Sequence, residues 1–450
     1  MYYFLYFILI ISLGFGADYY QPVLHSRSIF PGGSETFNFP DDGTLRLVGI
    51  MVQFPIEVPD NPKTSGDGQF LYQSHNEYIN FYNTDASRCD GFLLDPPPHD
   101  SLYFVKQLEA VGKYYETISN STLISTSEII INPDSSNGYF TVSNDMEYYA
   151  KADTLLAKFF TEALDSASMY IETYLSRESL TPDKVVFIVF HAGLGQDFSY
   201  PSLDPTIYDL KSAYIELSMF KDKDTNLEVI NPAIISGTAV YTGILLPETQ
   251  NIIYYDVVED IFGNPDYGTS DLCDYQYGLT GIFAYWLGYE LGLPPISNTD
   301  TGNPGVGLFG LMDYGYNNGR DVIPAPPTPW TRIKAGWSEV KTINYFNNRD
   351  SILITPYSLA EDTIFQIDIS EGEYFLIENR YNQIIQGYDI EYLRYLLWDN
   401  YLCENCNLNC DGINLEEIEN NRASVNECIQ NHPLPPEKFH YFDLLDTLIN

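Results

Sequence analysis

The sequence predicts an α/β (α+β) domain with a mixed sheet, followed by a smaller β-rich domain. A strand, two helices and a strand succeed one another between Thr44 and Gly193, whereas beyond Ser338 only short strands separated by acidic and glycine turns are read. TLRLVGIMVQFP, from Thr44 to Pro55, is aliphatic and β-branched and reads as a buried strand, with a Pro, Asp and Gly loop after it to about Gly68. Asp100 is placed to cap SLYFVKQLEAVGKYYETIS, where Phe104, Leu108, Val111 and Tyr115 share one helical face. Ser143 or Asn144 opens a longer helix, whose apolar stripe of Met146, Tyr149, Leu156, Phe160, Ala163 and Ala167 runs to about Leu175 before Thr181-Pro182 stops it. KVVFIVFHAG is a continuous apolar run of the kind buried in the middle of a sheet. DSILITPYS, TIFQIDIS and EYFLIENRY are the strands of the β-rich region, and from about Gly387 the chain reads as loop-rich.

A chain of 450 residues with 44% hydrophobic content buries a large core, and the expected divisions are a signal peptide at 1–16, a main domain at 17–340 and a C-terminal region at 341–450. The apolar run MYYFLYFILIISLGFG has the layout of a signal peptide's hydrophobic region, so the protein is expected to be secreted, with no membrane span after signal removal. Acidic residues outnumber basic ones 62 to 22, for a net charge of −40. That field repels phosphate backbones, so nucleic acid is excluded as a partner, while calcium and basic proteins are attracted. The 38 tyrosines suit protein contact surfaces, and equally cores and strands.

Six cysteines form an even set that suits an oxidising compartment. Disulfides are the expectation, two within Cys403, Cys406, Cys410 and Cys428 and one between Cys89 and Cys273; a zinc cluster at the C-terminal four is the alternative, and connectivity stays open. Asn120-Ser121-Thr122 is a glycosylation acceptor sequence, which makes Asn120 a candidate in a secreted chain.

The segment with most to say about function begins YGLTGIFAYWLGYELGLPP at Tyr277 and continues through NTDTGNPGVGLFGLMDYG to KAGW. It resembles the immune inhibitor A family of secreted zinc metallopeptidases, whose helix reads like G-x-x-A-H-E-x-G-H-x-L-G-L-P-D. Gly281, Ala284, Gly288, Leu291, Gly292, Leu293 and Pro294 match that frame. The chemistry is replaced: Tyr285 and Tyr289 stand at the two histidine positions, Trp286 at the glutamate, and Pro295 at the aspartate that would be the third ligand. Similar segments run from about Thr44 to Arg380, and the resemblance places Met312 in a Met-turn beneath the former metal site.

H-E-x-x-H puts two imidazoles on one helical face, with the glutamate as base for the zinc-bound water. Tyr285 and Tyr289 keep the spacing, but a phenol holds its proton at neutral pH and an indole has no basic lone pair. A catalytically inactive homologue without zinc is therefore expected. The bland reading is an i, i+4 aromatic pair in a buried helix; the opposite one is an active metallopeptidase with a relocated metal on His191, Asp197, Glu290, Asp313 or the Asp300 loop. The six histidines are scattered, and His99 and His191 read as hydrogen-bonded structural residues. What remains for such a chain is binding an extracellular protein or peptide in the groove, or self-association as a subunit of a surface coat or filament. The resemblance implies calcium as a structural ion, with oxygen ligands offered at Asp300 or at Asp266, Asp271 and Asp274.

Overall fold

The computed structural model describes residues 37–72, 94–197, 206–252, 277–299, 301–343, 363–370 and 373–380. In chain order the elements are β1 (Thr44–Gln53), α1 (Ser101–Ile118), β2 (Ile124–Ile130), β3 (Phe140–Thr141), α2 (Met146–Ala150), α3 (Asp153–Glu178) and β4 (Val186–Leu194). There follow β5 (Ala213–Ile215), β6 (Ala233–Ile235), β7 (Thr238–Val240), β8 (Gly243–Thr249), α4 (Thr280–Glu290), α5 (Pro329–Lys334), β9 (Glu339–Ile343), β10 (Thr363–Ser370) and β11 (Glu373–Ile377). The fold is mixed α/β, with a separate small β-rich sheet.

The main sheet runs β2-β1-β4-β8-β5, with β3 also on β1. All its pairings are parallel except β5 with β8, which makes β5 an antiparallel edge. β4 is buried along its whole length and β1 from Leu47 to Val52, because both of their faces are covered there. Side chains alternate between faces: Phe190 meets Phe104 of α1 and Phe283 of α4 at ring centroid distances of 4.6 and 6.2 Å, while His191 lies 6.3 Å from Phe159 of α3. Helices α1 and α4 thus cover one face and α3 the other.

Asp100 is the cap of α1, its carboxylate accepting from Tyr103 N at 3.0 Å. The single long helix expected from Ser143 or Asn144 to Leu175 is two helices, broken at Lys151 and Ala152 and capped by Asp145. Tertiary packing outweighs helical continuity here: α2 turns Tyr149 back onto Phe54 and Phe159, at 6.2 and 5.1 Å, and its hydroxyl donates to Glu162 at 2.6 Å.

At its carboxyl end β4 slips register against β8 between His191 and Leu194, and Pro247 pairs with His191. Proline cannot donate to the ladder, and Gly193 takes the positive φ of 91° that the bulge requires. Side chains take up the freed amides: Gly193 N–H donates to Glu248 Oε2 at 2.9 Å and Leu194 N–H to Ser65 Oγ at 2.7 Å.

The small sheet has order β11-β10-β9. TIFQIDIS and EYFLI are β10 and β11 as read, and β9 begins at Glu339, beside the expected domain boundary. A fully buried Arg332 on α5 pairs with Glu378 just after β11 and ties this sheet to the main domain. DSILITPYS and everything beyond Arg380 lie outside the described residues.

Candidate functional site

Helix α4 is apolar all round, and each of its faces has a covering. Gly281, Ala284 and Gly288 form one face. A β-carbon at Gly281 would lie 2.1 Å from the Tyr316 carbonyl oxygen, and one at Gly288 would lie 2.5 Å from the Met312 sulfur. The small residues let the 310–321 loop press against the helix backbone, and Tyr115 of α1 donates to the buried Ala284 carbonyl at 2.7 Å. Met312 is accordingly buried directly against α4, and its carbonyl accepts from Ile296 N at 2.9 Å. Gly292, at φ 74°, ends the helix, with Leu293 N–H donating to the Gly288 carbonyl at 2.8 Å.

The other face carries Tyr285 and Tyr289, 1% and 7% exposed. Their hydroxyls share a hydrogen bond at 3.2 Å, and the rings meet edge to face at 5.2 Å. Trp286 packs on both, 4.9 Å from Tyr285 and 5.5 Å from Tyr289. Tyr316 lies 4.9 Å from Tyr285, and Tyr214 of the edge strand β5 stacks on Tyr289 at 6.4 Å. Each such aromatic pair contributes about 0.5–1.5 kcal/mol beyond area burial. Pro295 is half-buried just past the helix.

Burial drives the Tyr285 and Tyr289 phenols well above their ordinary range, since a phenolate there would lose its water. Each unit of that rise adds about 1.4 kcal/mol to the cost of forming a metal-binding phenolate. With two such phenols, an indole and a pyrrolidine ring, the donor set does not fit a catalytic zinc ion, and no step through such an ion can be derived from these residues.

The residues considered for a relocated metal are held apart. His191 sits on the α3 face of the sheet, with Nδ1 2.9 Å from the Ala192 carbonyl oxygen, and desolvation lowers its pKa to about 4. One oxygen of Asp313 is held in its own loop, accepting from Gly305, Val306 and Gly307 N–H at 2.8, 2.6 and 2.7 Å, while the other is buried without a hydrogen-bond partner. Glu290 hydrogen-bonds Tyr214, and burial raises it to about 7. Asp197 accepts from Ser212 N and Oγ at 3.0 and 2.6 Å and from Gln250. Among the described residues no three His, Cys, Asp or Glu gather as a metal-ion group. All six cysteines, the signal segment, Asp266, Asp271, Asp274 and Asp300 lie outside the described residues. Asn120 is exposed in the turn after α1, at φ 54°.

Among the described residues, four buried acids escaped the sequence reading: Asp95, Asp209, Glu248 and Asp321. Glu248, at the end of β8, accepts from Leu71 N at 2.6 Å and Gly193 N at 2.9 Å, and faces His99 Nδ1 at 2.5 Å. His99 Nε2 in turn faces the Asp95 carbonyl oxygen at 2.9 Å, so both ring nitrogens are engaged. Asp321 is 0% exposed, and neither of its carboxylate oxygens has a hydrogen-bond partner. Only Gly-Arg-Asp in the strained left-handed turn at 319–321 hints at it, with φ of 59, 61 and 62°. Compared with protein-family models and with curated proteins, the chain matches none.

Proposed function

We propose that this chain is a non-catalytic, secreted relative of zinc metallopeptidases of the immune inhibitor A type, and that it acts by binding an extracellular protein or peptide. The observation that carries this reading is the α4 face itself: where a hydrolytic site needs two imidazoles and a carboxylate, Tyr285, Tyr289 and Trp286 form a dry, mutually packed aromatic cluster. The preserved Gly281, Ala284 and Gly288 face, with Met312 against it, supports descent from such a scaffold, because those residues shape the helix surroundings without taking part in chemistry. Binding without catalysis has a place beside the helix. β5 is the end strand of the main sheet, its ring at Tyr214 touches the cluster, and an extended peptide can add to such an edge through backbone hydrogen bonds.

The test is zinc analysis and a proteolysis assay on the wild type beside a variant carrying Tyr285→His, Trp286→Glu, Tyr289→His and Pro295→Asp. The wild type is expected to hold no stoichiometric zinc and to cleave nothing in a chelator-sensitive way, while the variant gains zinc. Stoichiometric zinc with chelator-sensitive cleavage by the wild type would overturn the proposal.

A further inference from the structure

The 305–309 loop presents Val306, Leu308 and Phe309 to solvent, 39%, 44% and 70% exposed, which sets three large apolar side chains close together in one short stretch. Single exposed hydrophobic residues are ordinary, whereas a contiguous group marks a contact surface. A fourth side chain joins them. A β-carbon added at Gly310 would meet Val306 Cγ2 at 2.8 Å and Thr328 Cγ2 at 3.1 Å, and Arg380 donates both to the Phe309 carbonyl and, at 3.4 Å, to the Pro327 carbonyl. The start of α5 therefore lies beside the loop, and its Trp330 is 41% exposed. Lys334, also exposed, stands one turn further along α5 on the same helical face.

Two observations bear on what this surface meets. The loop backbone is largely satisfied from within: Gly305, Val306 and Gly307 N–H donate to Asp313, Phe309 N–H to the Val306 carbonyl at 3.4 Å, while the Leu308 carbonyl accepts from Asn318 Nδ2 at 3.0 Å and the Phe309 carbonyl from Arg380. A protein partner that adds backbone hydrogen bonds finds few groups left to pair, whereas an apolar phase admits backbone whose polar groups already have internal partners. The local charge is the reverse of the whole chain's. Between Thr301 and Ser338 both acids, Asp313 and Asp321, are buried along with Arg332, and the charges that reach the surface, Arg320 and Lys334, are basic. A base beside exposed Trp and Phe suits the phosphate level of a bilayer, with the rings at the acyl boundary. The net charge of −40 opposes approach to an anionic surface, so the phosphate is that of a zwitterionic lipid.

We propose that Val306, Leu308, Phe309 and Trp330, with Lys334 at their margin, form a docking surface for a zwitterionic phospholipid bilayer, into which the loop inserts. This goes beyond the non-catalytic reading and does not depend on it, since zinc content and proteolysis leave vesicle binding untouched.

The test uses the full chain and sucrose-loaded phosphatidylcholine vesicles, with bound protein measured by sedimentation. The wild type is expected to cosediment, and a chain carrying Leu308→Ser and Phe309→Ser to lose partitioning by about 100-fold, about tenfold for each side chain that no longer enters the acyl region. Phe309→Trp is expected to be quenched by phosphatidylcholine brominated along its chains, beyond the quenching of the wild type. Failure of the wild type to bind, binding that the double substitution leaves unchanged, or binding that requires phosphatidylserine overturns the proposal. So does a wild-type oligomer in size-exclusion chromatography that the double substitution dissolves with no binding to vesicles, which makes the patch a contact between protein chains. Should the double variant fail to fold, Phe309→Trp decides: added quenching by the brominated lipid supports insertion, and none overturns it.

Discussion

Glu248 and Asp321 are both fully buried carboxylates, yet one is surrounded by donors and the other by none. Glu248 receives two backbone amides, released by the β4 bulge and the 70–72 segment, and an imidazole that is itself anchored to the Asp95 carbonyl. Tyr103 and Tyr139 close the same network, donating to the backbone carbonyls of Glu248 and His99 at 3.0 and 2.9 Å. Asp321 instead has no donor at either oxygen, whereas Asp197, the acid that acts on it electrostatically, takes donors from Ser212 and Gln250. The difference teaches that burial alone does not define a carboxylate's role. One completes a structural joint, and the other is buried without a partner.

The largest expected effect tests the completed joint. Glu248→Ala leaves the Leu71 and Gly193 amides and the His99 ring without their acceptor and opens a cavity, so a loss of about 3–5 kcal/mol is expected in urea unfolding. A loss below about 1 kcal/mol would show that the network contributes little.

Glu290 is the intermediate case, with Tyr214 as one partner and its Oε2 buried bare. Its pKa rises from 4.5 to about 7, so the folded chain holds a proton that the unfolded chain releases. Stability from this group is fully present below about pH 4.5 and is lost as pH rises through about 7, a change of about 3 kcal/mol. Asp95, raised to about 6, acts in the same direction. Glu290→Gln is expected to flatten the decline between these pH values, and an unchanged profile of stability against pH would refute the assignment.

The smallest effect concerns the donors of Asp197. Ser212→Ala removes the 2.6 Å hydroxyl bond but leaves the amide, so about 1.5 kcal/mol of stability is expected to go, measured by denaturant midpoint. A neutral result would mean that water replaces the hydroxyl, and Asp197 would then be less enclosed than Asp321.

Much of the scaffold was legible in the sequence. β1 and β4 show as unbroken apolar runs, α1 shows through its stripe and the Asp100 cap, and β10 and β11 through alternation and turns. The break at Ala152 was not legible, because that residue is extended without any side-chain cap and the reason for the turn is Tyr149's packing on another element. The short strands β5 to β7 gave no periodic signal at three residues each, and so the antiparallel edge beside α4 went unread.

By itself the sequence determined that α4 carries phenols, an indole and small residues, and therefore which donors could ever meet a metal there. Local composition fixes chemical type, and no packing can make an indole a general base. Only the tertiary structure decided that Gly281 and Gly288 are small to admit the 310–321 loop, that His191 faces away from α4, and that Glu248 is provided with donors while Asp321 is not. Burial and hydrogen-bond partners depend on residues distant in the chain, so these properties belong to the fold rather than to any segment of it.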